Sequence, residues 1–151
     1  MTRAGGSVPP VTVVEIHIGS RGGELRSVER VRAVAGKGLE GDRHFFPDGG
    51  SPGRALTLVE EEVVEGAGLA PGATRRQVTV RGVRVNDLVG KRFRIGGAEC
   101  YGVELCEPCL HLEKMTRPGI IKELVHRAGI NADILGDGTI AIGDKVAELA
   151  D

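Results

Sequence analysis

Twenty-four glycines are scattered through the 151 residues of this chain, and they cut its apolar stretches into many short pieces. They follow no three-residue period, which excludes a collagen-like chain. The pieces between them predict short strands joined by tight turns. The length suits one domain, read as residues 11–151 after a loose arm at 1–10. A domain of that size buries a core without disulfide or metal staples.

The apolar spacing fills in the elements. Val11–Ile18 alternates, with Val14, Ile16 and Ile18 on one face, and predicts a half-buried strand. Arg26–Val34 is strand-like, and its parity shift between Val28 and Val31 predicts a bulge. Residues 35–54 lose all periodicity and predict a long loop, of the kind that often carries function. Leu58–Ala67 has helical spacing at Val59, Val63, Val64 and Ala67. Gln77–Val80, Arg92–Ile95 and Glu99–Leu105 read as strands, the last with Tyr101, Val103 and Leu105 on one face. Leu110–Lys114 predicts a helical turn. Pro118 opens a helix whose stripe is Ile120, Ile121, Leu124, Val125 and Ala128, stopped by Gly129. Ala132–Leu135 and Thr139–Ile142 flank Asp137-Gly138, a hairpin signal, and Val146–Leu149 closes the chain. This order lacks the regular strand–helix alternation of a parallel sheet. It predicts a mainly β (α+β) fold: a closed or nearly closed β-barrel with a few peripheral helices.

Composition narrows the function. Aromatic residues make up 3% with no Trp, too few for a base-stacking platform. The net charge of -1 gives no overall field to draw nucleic acid or a membrane surface. No apolar run approaches a membrane span, and Met1–Pro10 lacks an apolar signal core. Three cysteines, an odd number, fit a reducing compartment, so the expected location is the cytoplasm.

The densest chemistry is Cys106-Glu107-Pro108-Cys109-Leu110-His111, where a strand gives way to a helical turn. A cysteine against free backbone N–H groups at such a turn is pushed toward thiolate, which suits soft metals and sulfur transfer. Four readings stand: a buried cysteine pair without chemistry, a zinc site from Cys100, Cys106, Cys109 and His111, a thioredoxin-type dithiol, and a reactive or metal-binding thiolate. The second constellation is Gly41-Asp42-Arg43-His44, which either orients an anion or closes its loop with a structural ion pair. The third constellation is Arg75-Arg76-Gln77; adjacent side chains on a strand point to opposite faces, so at most one of the two arginines faces a given pocket. Asn86 is a turn former first and a ligand second. Neither Ala35-Gly36-Lys37-Gly38 nor Gly66-Ala67-Gly68 has the spacing of a phosphate loop.

In order, these pieces resemble the MOSC domain, named for the C-terminal part of molybdenum cofactor sulfurases. The resemblance runs from the strand at Val13 through Gly41-Asp42-Arg43-His44 and Arg76-Gln77-Val78-Thr79. It continues through Leu88-Val89-Gly90, Phe93-Arg94-Ile95-Gly96, Glu107-Pro108-Cys109 with Leu112-Glu113, and Asp137-Gly138 with Ile142-Gly143-Asp144. It implies a β-barrel-centred fold and a reactive cysteine matching Cys109, which carries sulfur or ligates molybdenum of a bound molybdopterin. It further implies basic groups for the cofactor phosphate, with Arg43, His44 and Arg76 the candidates and Asn86 a further contact. The implied activities are sulfur carriage or reduction of N-hydroxylated compounds. The alternatives are a cofactor or persulfide carrier without turnover, or a structural zinc-binding barrel. The chain has no ferredoxin-type cysteine spacing, so electrons or sulfur would come from a donor protein, and a partner or homodimer interface would complete a site for so large a cofactor. Cys106, three residues before Cys109, could resolve an oxidised or persulfidated Cys109.

Overall fold

The computed structural model of the chain describes residues 11–20, 23–108 and 110–150. The expected arm at 1–10 and Cys109 lie outside the described residues. The strands are β1 (Thr12–Gly19), β2 (Leu25–Ser27), β3 (Arg30–Val34), β4 (Gly38–Leu39), β5 (Leu56–Glu60) and β6 (Val78–Arg81). They continue with β7 (Arg92–Ile95), β8 (Ala98–Leu105), β9 (Ile130–Gly136), β10 (Gly138–Ala141) and β11 (Val146–Glu148). Three short helices, α1 (Glu61–Gly66), α2 (Leu110–Met115) and α3 (Ile120–Leu124), and a 3-10 turn at Val85–Leu88 complete the described elements. The mainly β expectation with a few helices holds.

An eight-stranded sheet runs β11-β7-β8-β9-β5-β6-β1-β2, and a second sheet runs β10-β3-β4. Strands β5 and β6 pair in parallel, with α1 between them in sequence. Neither sheet closes into a barrel among the described residues, which corrects the closed-barrel expectation. The starts of β1 and β11 do meet: Thr12 bridges Lys145, and the Val146 N–H donates to the Val11 carbonyl at 2.9 Å. That contact ties one corner and is too short to make a continuous ladder.

Several local expectations change for identifiable reasons. A bulge between Val13 and Glu15 turns Val13 into the core beside Ile16 and Ile18, in place of Val14. The parity shift after Ser27 is no bulge: β2 pairs with β1 while β3 pairs with β10, so the chain changes sheets there. Leu56, Leu58 and Val59 are buried in the mid-sheet strand β5, which shortens the expected helix to α1. The chain turns at Gly119, held at φ +90, so α3 begins after the position expected from Pro118 and leaves Val125 exposed. The Asp137-Gly138 signal makes no hairpin. Strand β9 pairs with β8 and β5, while β10 crosses to β3.

The main core packs Phe93, Ile95, Leu56, Leu58, Ile130 and Ile134 with the inward residues of β1, β3 and β6. A satellite core of Val63, Ala67, Leu112, Ile120, Leu124 and Ala128 seats the helices. Along β8 the buried set is Ala98, Cys100 and Gly102, opposite in parity to the expected face, and Tyr101 is exposed. Small residues are required there because a Cβ at Gly102 would run into the Leu88 carbonyl. No described helix is long and apolar enough to cross a membrane.

Candidate functional site

A cavity of about 690 Å3 opens on the described surface, a size in the range of small-molecule sites. Its floor comes from alternation. Thr57 on β5 lies opposite Asn131 on β9, and Asn131 lies opposite Glu104 on β8. Beside Thr57, the residue before β6 is Gln77, whose N–H donates to Thr57 Oγ1 at 2.9 Å. The next residues along, Val78, Leu58, Ile130 and Leu105, pack into or against the main core. Gln77, Thr57, Asn131 and Glu104 therefore form a polar row across the opposite face of the sheet, and all line the cavity.

Glu104 joins that row only because of a bulge. Gly102 pairs with Ala132 and Glu104 with Asn131, so Val103 is an extra residue on β8. Were Val103 an ordinary rung of the ladder, the parity of Ala98, Cys100 and Gly102 would carry Glu104 and Cys106 toward the core. The bulge leaves both lining the cavity.

The basic wall comes from the long loop and the segment before β6: Arg43, His44, Arg54, Arg75 and Arg76. Asp42 organises it. Its side chain is out of solvent and accepts from the Gly19 N–H at 3.0 Å, the His44 N–H at 3.1 Å, Arg43 Nη1 at 3.1 Å and Gln77 Nε2 at 2.6 Å. Arg43 Nη2 also donates to the Arg75 carbonyl at 3.2 Å, which the left-handed backbone of Arg75 (φ +61) presents. Burial pulls the Arg43 guanidinium below its ordinary value, and the Asp42 charge opposes that. The result is a cation fixed in place, with N–H donors to spare for an anion.

Arg76 plays a different part from the expected phosphate ligand alone. Its Nε donates to the Ala128 carbonyl at 2.8 Å and Nη2 to the Glu107 carbonyl at 3.3 Å. These bonds brace the exit of β8 against the turn after α3. His126 strengthens the brace: its N–H donates to Glu107 Oε1 at 2.7 Å, and its Nδ1 lies 2.6 Å from Glu107 Oε2. The donated His126 N–H is the largest influence holding the Glu107 carboxyl below its ordinary value. The Cys106 N–H adds a bond to the Gly129 carbonyl at 2.8 Å.

The structure thus brings Arg43, His44, Arg76 and Cys106 to one cavity, and Arg75 lines it too, which corrects the expectation of one arginine: both precede β6, and the left-handed backbone of Arg75 breaks strand alternation. Asn86 does not line it; its Nδ2 donates to the His126 carbonyl at 2.9 Å. Cys109 and the side chain of His111 lie outside the described residues. Cys100 is fully buried in the main core, away from Cys106, and burial pushes its thiol up to about 12. Among the described residues no cluster of three or more His, Cys, Asp and Glu side chains could hold a metal ion. Sequence reasoning missed Thr57, Glu104 and Asn131 as wall residues and singled out Gln77 only beside Arg75 and Arg76. The alternation about Leu58 and Ile130 could have exposed Thr57 and Asn131, but the bulge hides Glu104.

The MOSC domain pattern matches residues 51–147, and the chain belongs to the MOSC domain family. The matched segment holds the floor, Arg54, Arg75, Arg76 and the Cys106–Cys109 stretch, while Arg43 and His44 precede it. In fold, the chain is similar to the crystal structure of YuaD from Bacillus subtilis, with a TM-score of 0.74 at 16% identity over 90% of this chain and 94% of that one. It is also similar to YiiM from Geobacillus stearothermophilus, with a TM-score of 0.71 at 18% identity over 93% and 76% of the two chains. YiiM from Escherichia coli gives a TM-score of 0.65 at 18% identity over 94% and 69%. No curated protein matches the chain by sequence.

Proposed function

We propose that the cavity binds the molybdenum cofactor, held by its phosphate on the arginine wall and by its metal on Cys109. The protein then serves sulfur carriage or the reduction of N-hydroxylated compounds. The carrying observation is Arg43, locked by buried Asp42 in a cavity that also receives Arg54, Arg75, Arg76 and His44. A pocket with this excess of positive charge is built for an anion with several charged oxygens. Its volume admits a bicyclic ring with a phosphorylated side chain.

The residues divide the work. Arg43 supplies the fixed fork for phosphate, and Arg54 and Arg75 add charge around it. Arg76 and His126 hold the exit of β8, the stretch that leads into Cys109 three residues beyond Cys106. Such bracing restricts the thiol segment before ligand arrives, which lowers the ordering cost of binding. When bound, the cofactor supplies oxygen-atom transfer with two-electron chemistry, and the protein supplies orientation and charge. A donor protein for electrons or sulfur, a second copy of the chain as a dimer partner and a reducing cytoplasmic setting complete the proposal.

Metal and pterin analysis of protein purified from a molybdenum-replete host tests it. Bound molybdenum should be lost in Cys109→Ser and in Arg43→Ala and kept in Cys106→Ser. Turnover of amidoximes with an added reductant then separates a reductase from a carrier. Stoichiometric zinc in place of molybdenum, or molybdenum content unaffected by Cys109→Ser, overturns the reading.

A further inference from the structure

Glu104 is the only carboxylate among the described residues that line the cavity, and it shares that lining with four arginines. If the cavity had only to hold an anion, an acid on its wall would weaken binding by repulsion. The chain nevertheless bulges at Val103, and that irregularity keeps Glu104 on the floor where unbroken alternation would put it in the core. The neighbours explain what is offered there. Gln77 and Thr57 are occupied with each other and with Asp42: Gln77 Oε1 accepts from the Thr57 N–H at 2.8 Å, and Gln77 Nε2 donates to Asp42 at 2.6 Å. The other end of the row is open. Asn131 Nδ2 donates to Glu104 Oε2 at 3.4 Å, the sole hydrogen bond of either side chain among the described residues. Glu104 Oε1 and Asn131 Oδ1 remain as acceptors side by side on one strand pair.

We infer that Glu104 and Asn131 are a specificity pair that reads adjacent N–H donors on an aromatic nitrogen heterocycle. Two neighbouring acceptors, one charged, match a ring N–H beside an amino group and disfavour a ring that shows a carbonyl there. Asp42 and Gln77 set Arg43 at one end of the row for phosphate, and the acceptor pair stands at the other for the ring. The inference rests on the cofactor reading for its cavity, and the ring could belong to the pterin of the cofactor or to an N-hydroxylated base. The pterin presents a ring N–H beside its amino group, and an N-hydroxylated base does so in the form whose ring nitrogen carries a proton.

The probes are pterin and lumazine, which differ by an amino group against a carbonyl and carry no phosphate. Cofactor-free protein should bind pterin at least about tenfold more tightly than lumazine, the worth of one well-placed hydrogen bond. In Glu104→Gln the preference should shrink to about twofold, because the amide offers one acceptor and one donor. Asn131→Ser should reduce it several-fold, and both variants should keep the wild-type melting temperature; pyrophosphate affinity should be unchanged in Asn131→Ser and rise in Glu104→Gln, where a repelling charge is gone. Equal wild-type affinities, or a preference unchanged in Glu104→Gln, overturn the inference. Repeating the titration on cofactor-loaded protein identifies the source: pterin is excluded if the cofactor's ring fills this end and still binds if the substrate's does. A preparation that takes up no molybdenum sinks the cofactor proposal but leaves the pterin–lumazine comparison decisive for Glu104.

Discussion

Gln77 Nε2 donates to Asp42 Oδ2 at 2.6 Å, and the two side chains, both shielded from solvent, join the floor of the cavity to its basic wall. Asp42 also faces Arg43, itself mostly buried. Removing the carboxylate strands a buried cation and three further N–H donors. Asp42→Ala should cost about 3–5 kcal/mol in urea unfolding, the usual scale for breaking a buried pair from one side. A loss below about 1 kcal/mol would show that water replaces the carboxylate freely.

His17 makes stability depend on acidity. It is buried on β1, and burial pulls its imidazole below the ordinary 6.5, against the smaller opposing pull of Glu15 at 3.7 Å. The unfolded chain therefore takes up this proton at a higher pH than the folded one. The group is without effect well above 6.5 and destabilises progressively as pH falls below it, until the folded value is passed. Melting temperatures of wild type and His17→Gln at pH 7.5 and 5.5 check this. The wild type should lose more on acidification, and parallel losses would remove His17 from the account.

Cys100 and Cys106 should separate by reactivity. The Cys100 thiol, fully buried and pushed up to about 12, should resist alkylation in the native protein at pH 8 and react after unfolding. Cys106, half-buried on the cavity wall, should label natively. Peptide mapping by mass spectrometry distinguishes them, and native labelling of Cys100 at the rate of Cys106 would contradict its placement.

Gly129 sits at φ +102, and a Cβ there would meet the Leu58 carbonyl. Its own carbonyl accepts the Cys106 N–H. Gly129→Ala should destabilise by about 1–3 kcal/mol or more, since backbone strain and the close contact add. It should also weaken the brace on the β8 exit, read as faster proteolysis near Glu107. A melting temperature within a degree of wild type would argue against both.

Much of the fold was legible because alternation is a local signal. Ile16 and Ile18 on β1 and Phe93 and Ile95 on β7 declare their core face without help from the rest of the chain. Partner choice is not local. Asp137-Gly138 carries hairpin residues, but the Asp137 carboxylate instead accepts the Ala35 N–H at 2.7 Å, and Gly138 packs on the Gly97 backbone. Those contacts hold β10 on β3, and turn propensity gives way to them. The candidate site divides in the same manner. Arg43 and His44 were visible as basic residues in loop-like sequence and Arg76 as one expected on a strand, whereas the two carbonyls that occupy Arg76 belong to segments far along the chain. Asn86 read as a turn former and does sit in a 3-10 turn, away from the cavity.

The bulge at Val103 makes ladder register, as well as residue identity, a determinant of what the cavity contains. Flattening it, with Val103 taken up as an ordinary rung, would leave every side chain unaltered and still exchange the faces of Glu104, Leu105 and Cys106. The acid and the thiol would swing into the hydrocarbon interior, and Leu105 would be turned out to water. Losing the codon for Val103 would do neither, because Glu104 would then follow Gly102 directly and keep its place opposite Asn131.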